Sequence, residues 1–324
     1  MISTNRNFMG WTEWMLLIIL SILWGGSFFF GMVALAELKP FSVVLGRVGI
    51  AAILLNVLVI LGGQRMPASP KIWISFFVMG ALNNLIPFSL IFWAETKIPS
   101  GLASIINATT PLWTILLAHY LTKDEHLSFY KIGGLGLGLL GVVTIVGWDI
   151  VRNFGANVFA QCAVLAAAFS YALAAIYGIH SFRKHSKTLS PLVTASGQVT
   201  CAAIMMIPLA GFFNRPWNQH FPDIKTIAAI LGLATLCTVV AYLIYFRLLS
   251  SAGASNLLLV TFLIPVSALF LGILVLHESI SMRQFCGMGL IGLGLAFIDG
   301  RIPHKAWANF RRLVPKKSYE DYTI

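Results

Sequence analysis

Charge is what this chain has least of: Asp, Glu, Lys and Arg together make up 10% of its 324 residues. Soluble domains carry about 25%. With hydrophobic residues at 58% and a mean hydropathy of +0.85, there is too little polar surface to enclose a water-soluble core, and the chain reads as a bilayer protein. Carboxylates are scarcer than basic groups, 11 against 22. Glu13, Glu37, Glu95, Asp124, Glu125, Asp149, Asp223, Glu278, Asp299, Glu320 and Asp321 all fall in expected loops, at helix ends or in the tail, so none is expected near the midplane as a proton or sodium relay. Cys162, Cys201, Cys237 and Cys286 lie inside apolar runs. They read as helix-packing residues, not as a disulfide framework or a metal site. There is no HExxH, no histidine cluster, no nucleophile elbow and no GxxxxGK[ST]. An integral-membrane enzyme, the remotest alternative, and an ATP-driven pump therefore lack their machinery, and no cofactor is expected. The longest loop, about residues 213–225, is too short for a receptor or assembly protein.

Apolar stretches able to cross a ~30 Å hydrocarbon core recur along the chain. They fall at roughly 14–33, 41–62, 72–93, 98–121, 131–148, 157–179, 190–212, 226–247, 254–276 and 283–299. With the N-terminus inside, 15 Lys and Arg fall in inner segments and 6 in outer ones, and Arg47 lies within a span. Positive loops stay cytoplasmic, so both termini are expected there. Arg6, an apolar stretch and Ala34-Leu35-Ala36 imitate a cleavable signal peptide. Cleavage would leave one repeat a helix short, so retention is expected.

One pattern is written twice. Residues 98–146 and 252–298 each open on small residues and continue as an apolar helix with a proline, Pro111 or Pro265. An acidic residue and a Gly-rich apolar helix follow. Gly134 matches Gly287 and Gly141 matches Gly294, with Glu278 answered by Asp124 or Glu125, a choice the spacing leaves open. Five spans per repeat is an odd number, so the second copy enters the membrane the other way round. The expected fold is an all-α integral membrane protein with ten transmembrane helices as two inverted five-helix repeats, 14–149 and 156–300. A basic cytoplasmic tail, 301–324, follows. Such repeats expose one central site alternately to either face.

The run Trp24-Gly25-Gly26-Ser27-Phe28, Arg47, and the doubled pattern of helix proline, acidic residue and Gly-rich helix resemble the EamA-type transporters of the drug/metabolite transporter superfamily. The second copy, with Ala252-Gly253-Ala254-Ser255, Pro265, Glu278, Gly287 and Gly294, carries the sharper likeness. The resemblance covers about residues 14–299. It implies transport of small metabolites such as amino acids or related amphipathic compounds and suggests export across the cell inner membrane. Uptake or passive facilitation is the alternative. It also implies a central cavity lined by the first, third, fourth, sixth, eighth and ninth spans.

Arg47 lies about six residues into its span, roughly 9 Å deep at ~1.5 Å per residue. A charge there needs a partner. It either answers a substrate carboxylate or snorkels to the outer interface. Gln198 occupies the matching place in the second repeat, seven residues after Pro191 as Arg47 follows Pro40. Cavity candidates are Trp24, Ser27, Asn83, Asn84, Asn107, Thr110, Tyr171, Thr238, Tyr242, Asn256 and Thr261, a mixture of rings, amides and hydroxyls suited to a small-molecule pocket or, singly, to helix–helix hydrogen bonds. Pro111 and Pro265 each free carbonyls one turn earlier, for flexing or for a static kink. His119 is the one histidine placed to titrate inside the protein, or else it is interfacial. Gly134 and Gly138 form a GxxxG suited first to packing within the chain and second to a homodimer, so a monomer is expected. The basic tail, with Trp307, Phe310 and Val314 at helical spacing, should lie on anionic lipid. The +11 net charge follows inner loops and tail, not one folded face, which argues against nucleic acid as a partner.

Overall fold

A computed structural model describes residues 10–121, 129–146, 156–183, 189–215, 220–252, 257, 260–277, 279 and 281–299. Asp124, Glu125, Glu278, Asn256, Gly253 to Ser255 and the basic tail lie outside the described residues. In chain order the helices are α1 (Trp11–Leu35), α2 (Pro40–Leu61), α3 (Pro70–Gly80), α4 (Ile86–Glu95), α5 (Ser100–Asn107), α6 (Thr110–Leu121) and α7 (Phe129–Val146). The second half contributes α8 (Ala156–Arg183), α9 (Pro191–Phe213), α10 (Ile224–Ala234), α11 (Ala241–Ser251), α12 (Val260–Leu276) and α13 (Met282–Asp299). Two π-helical turns, Ala81–Leu85 and Thr235–Val240, join α3 to α4 and α10 to α11 without breaking either rod.

Helix starts follow from local chemistry. Pro40, Pro70 and Pro191 occupy first-turn positions, where a missing N–H costs nothing and the fixed φ suits a helix. Ser190 caps α9 by accepting from Val193 N–H at 3.2 Å, and Asp223 caps α10 by accepting from Thr226 N–H at 2.7 Å.

Among the described residues, seven helices or continuous rods are long and apolar enough to cross a bilayer: Trp11–Leu35, Pro40–Leu61, Pro70–Glu95, Ser100–Leu121, Asn157–Gly178, Pro191–Phe213 and Ile224–Leu249. The other expected crossings fall on α7, α12 and α13, which have 17 or 18 residues. Large apolar side chains such as Ile60, Leu61 and Phe270 are exposed on the outer surface, as lipid-facing residues must be.

Counterparts in the two halves pack alike. α2 packs on its counterpart α9 and α7 on its counterpart α13, while α1 packs on α12 as α8 packs on α6. The α7–α13 contact depends on glycine, because a Cβ on Gly294 would stand 2.5 Å from the Gly134 carbonyl oxygen and one on Gly141 would stand 2.8 Å from that of Gly287. Gly134, Gly138, Gly141, Gly287 and Gly294 are thus spent on packing within the chain, while Gly133, Gly136, Gly289 and Gly292 face open space. Close backbone approach of this kind replaces hydrophobic drive inside lipid, where packing is the main attraction left.

Candidate functional site

The site grows from Arg47, on the first half of α2. It is 5% exposed, so it does not reach for the interface. Nε donates to Thr238 Oγ1 at 3.0 Å and Nη1 to Ser27 Oγ at 2.9 Å. The guanidinium lies over the Phe88 ring, 3.7 Å from its centroid, with Phe92 at 5.9 Å. Charge-assisted hydrogen bonds contribute about 1.5–3 kcal/mol each, and a desolvated cation–π contact about 2 kcal/mol. Together these contacts are of the size needed to offset the few kcal/mol that insertion scales assign to a buried arginine. Nη2 makes no hydrogen bond among the described residues. Tyr171, Cys237, Tyr242 and Glu95 are near enough to act on the charge.

The two π-helical turns set the polar partners. Thr238 lies in the second turn, where its hydroxyl donates to the Leu233 carbonyl five residues back at 2.8 Å. Its proton is thereby committed, and its lone pair faces Arg47. One turn on, Tyr242 donates to Asn84 Oδ1 at 3.0 Å and accepts from Asn83 Nδ2 at 3.3 Å. The Asn83 amide also approaches Gln198 Oε1 at 3.4 Å. Asn83 and Asn84 belong to the first π-helical turn, and Asn84 is fully buried with Nδ2 unpartnered. A π-helical turn adds one residue to a helical turn, swinging side chains inward and loosening the carbonyl ladder. Two donors are left without a hydrogen bond, Arg47 Nη2 beside Ser27 and Thr238 and the buried Asn84 Nδ2 beside Tyr242.

Ser27, Arg47, Asn84, Tyr171, Gln198, Thr238 and Tyr242 are therefore drawn together, as the sequence leads one to expect. Others go elsewhere. Trp24 packs on Tyr245, with ring centroids 5.7 Å apart, in a separate cluster with Leu17, Leu20 and Leu248. Asn107 and Thr110 stand at the α5–α6 break, where Thr110 Oγ1 donates to the Asn107 carbonyl at 2.8 Å and Asn107 Oδ1 is buried without a partner. Pro111 is the second residue of α6, so it begins a helix and does not kink one, and the carbonyl it frees is taken by Thr110. Pro265 does lie inside a helix, α12, one turn after the half-buried Thr261. His119 packs edge-on to Tyr120 near the end of α6, with Nδ1 buried and unpartnered.

Three participants are missed by sequence reasoning. Phe88, Phe92 and Glu95 follow one another at intervals of four and three, which places them on one face of α4. The spacing is visible in the sequence but reads as ordinary core. Glu95 is a helix-end residue as expected, yet it is 3% exposed and points inward.

The described residues form an all-helical fold that encloses a buried arginine among amides, hydroxyls and rings, the architecture of a multi-pass membrane protein with a polar centre. Comparison with known proteins gives the kinship. The EamA-like transporter family matches residues 12–147 and 158–299, and the chain belongs to it. Among its relatives, the uncharacterized transporter YoaV of Bacillus subtilis is 23% identical over 279 residues, covering 86% of this chain and 94% of YoaV. Protein PecM of Dickeya dadantii is 26% identical over 281 residues, covering 86% and 89%. One solved crystal structure superposes with a TM-score of 0.62 over 89% of this chain and 96% of the other, at 17% identity, a likeness of fold.

Proposed function

We propose that this protein exports small carboxylate-bearing metabolites, such as amino acids and related amphipathic compounds, by alternating access. The observation that carries the reading is the open Nη2 of a buried, otherwise partnered Arg47. A guanidinium presents its donors as a rigid fork that matches a carboxylate, and in a site screened from water that match is strong. The unpartnered Asn84 Nδ2 supplies a second donor to the same ligand, while Tyr171, Phe88 and Tyr242 give apolar contact. The doubled, inverted architecture supplies two exits for one site.

This reading takes ten crossings of the cell inner membrane, and the excess of Lys and Arg in inner loops supports cytoplasmic termini. The tail from residue 301 then rests on anionic lipid. A monomer fits the packing of Gly134, Gly138, Gly141, Gly287 and Gly294 within the chain.

The test is growth of a bacterium with and without this protein on a panel of toxic amino acids, their analogues and lipophilic cations. Tolerance gained to carboxylate-bearing compounds and lost with Arg47→Ala supports the reading. Sensitisation to them means uptake, and tolerance to cations alone overturns the carboxylate site.

A further inference from the structure

Glu95 is the one buried carboxylate among the described residues, and the reading above does not use it. It closes the face of α4 that carries Phe88 and Phe92 beneath Arg47, one turn nearer the end of the rod expected to face outside. Its Oε2 lies against α1 at Gly31, where a Cβ would come within 2.6 Å of that oxygen and 2.5 Å of the Phe92 ring. Gly31 is one turn from Ser27, which holds Arg47 Nη1. A side chain there would make the Phe92 ring and the carboxylate shift.

The two repeats differ at this point in a telling way. An offset of 154 residues that carries Asn84 to Thr238 and aligns the two π-helical turns also carries Phe88 to Tyr242 and Phe92 to Phe246. The aromatic pair is kept. The same offset carries Glu95 to Leu249, which is exposed at 36% where Glu95 is at 3%. Arg47 is likewise answered by neutral Gln198. Both buried charges thus belong to one half of the site, and both are absent from the other.

We propose that Glu95 holds the cationic end of a zwitterionic substrate whose carboxylate lies on Arg47, and exchanges that cation for a proton. The proposal rests on the carboxylate-binding reading of Arg47. Charge balance supports it. With Glu95 ionised the empty site is neutral, a zwitterion adds no net charge, and each end of the substrate meets its opposite. A protonated Glu95 cannot hold an ammonium group, so proton and substrate exclude each other at one carboxylate. Exclusion of that kind produces antiport. Facing outward, Glu95 releases the ammonium and takes a proton from outside on a carboxylate oxygen; facing inward, the next ammonium displaces that proton to the cytoplasm. One proton enters per zwitterion exported, and one positive charge moves inward. An acid without an amine leaves two negative charges against Arg47 and is excluded unless Glu95 is protonated.

Among the described residues, these titratable and charged groups stand nearest the pair. Arg47 comes from α2, Tyr171 from α8, Cys237 from the second π-helical turn and Tyr242 from α11. Glu37 and Lys39 stand in the α1–α2 link and Lys97 just beyond α4. Helix α5 contributes none.

The test uses the full chain in liposomes loaded with the twenty common L-amino acids, with efflux followed by mass spectrometry and lumenal pH by entrapped pyranine. For wild type, with the membrane potential clamped at zero by valinomycin and equal potassium, acidifying the outside accelerates amino-acid efflux while the lumen acidifies, and one pH unit sustains roughly a tenfold amino-acid gradient, as one proton per substrate requires. Glu95→Gln loses the acceleration and the lumenal acidification. Glu95→Asp keeps both with a displaced pH midpoint. Wild-type efflux indifferent to the pH gradient overturns the proposal whatever the variants do, as does an unchanged pH response in Glu95→Gln. No amino-acid efflux from wild type at any pH removes the carboxylate-binding reading itself, and the proposal with it.

Discussion

Arg47 Nε donates to Thr238 Oγ1 at 3.0 Å across 191 residues of sequence, tying α2 of one repeat to the π-helical turn of the other. The counterpart of Arg47 makes the reciprocal contact: Gln198 on α9 accepts from Asn83, in the first π-helical turn, at 3.4 Å. Each repeat thus lends a polar side chain to the other's loosened turn. The arrangement is nearly symmetric in shape and asymmetric in charge, with Arg47 answered by neutral Gln198.

Arg47→Ala is expected to abolish transport of carboxylate-bearing substrates while sparing neutral or cationic ones. Arg47→Lys retains the charge but not the planar fork or the stacking on Phe88, so it should recover only a small part of the rate. Competitive uptake of labelled amino acids and of a lipophilic cation into the same vesicles separates these outcomes. Equal loss of both substrate classes would remove Arg47 from the site.

Phe88 supports the guanidinium from below at 3.7 Å. Phe88→Leu keeps the burial and removes the ring quadrupole, at a cost of about 0.5–2 kcal/mol. The expected result is a KM raised roughly 2- to 30-fold for carboxylate substrates, with Phe88→Tyr close to wild type. A KM that Phe88→Leu leaves unchanged would make the ring a spacer only.

Much of this site was legible as residue types at repeat-equivalent positions. A charge in an apolar run marks Arg47, and the match of Pro40 to Pro191 finds Gln198. Ser27, Asn84, Thr238 and Tyr242 follow as polar groups on neighbouring spans. Facing was not legible. Trp24 shares a side of α1 with Ser27, three residues on, yet lies about a turn away and packs on Tyr245. The π-helical turns shift a hydrogen-bond register without a compositional mark. Glu95 was hidden by its place at a span end, where an uncertainty of a few residues in the boundary decides between water and protein. Pro111 promised a mid-helix kink, but Ala108 and Thr109 turn the chain first and a new helix starts at Thr110.

Asp223 offers a pH dependence with a definite sign. It is exposed, and the Thr226 N–H it accepts from holds its carboxyl below the usual value of 3.8. A carboxyl depressed in the folded state contributes stability above its unfolded pKa and loses it as pH falls through the folded one. The thermal midpoint should therefore hold from neutral pH to about pH 4 and then decline. Asp223→Asn should retain the cap with a shallower acid decline. Identical acid profiles for the two proteins would assign the decline to other carboxyls.

Gly294 is expected to be intolerant for a reason unrelated to substrate. A Cβ there would stand 2.5 Å from the Gly134 carbonyl oxygen and 2.7 Å from the Gly138 nitrogen, both backbone atoms that cannot step aside. Gly294→Val should destabilise the protein by about 1–3 kcal/mol or more, as overpacking does. The loss should appear as a lower thermal midpoint and folded yield, with unchanged substrate preference in the molecules that fold. An altered preference would place the α7–α13 pair in the transport path.

Exchanging the counterparts tests whether charge asymmetry sets substrate orientation. Arg47→Gln leaves both halves neutral at this position and is expected to lose carboxylate transport. Adding Gln198→Arg restores one cation at the equivalent place, beside Asn83, whose amide also bonds Tyr242. That half lacks a carboxylate, since Leu249 stands where Glu95 does in the other. The double variant should therefore recover binding of simple carboxylates, including amine-free acids, ahead of zwitterions. Recovery of zwitterions in preference would show that the ammonium is held by something other than Glu95. No recovery of any carboxylate would show that the two positions are equivalent in sequence but not in access.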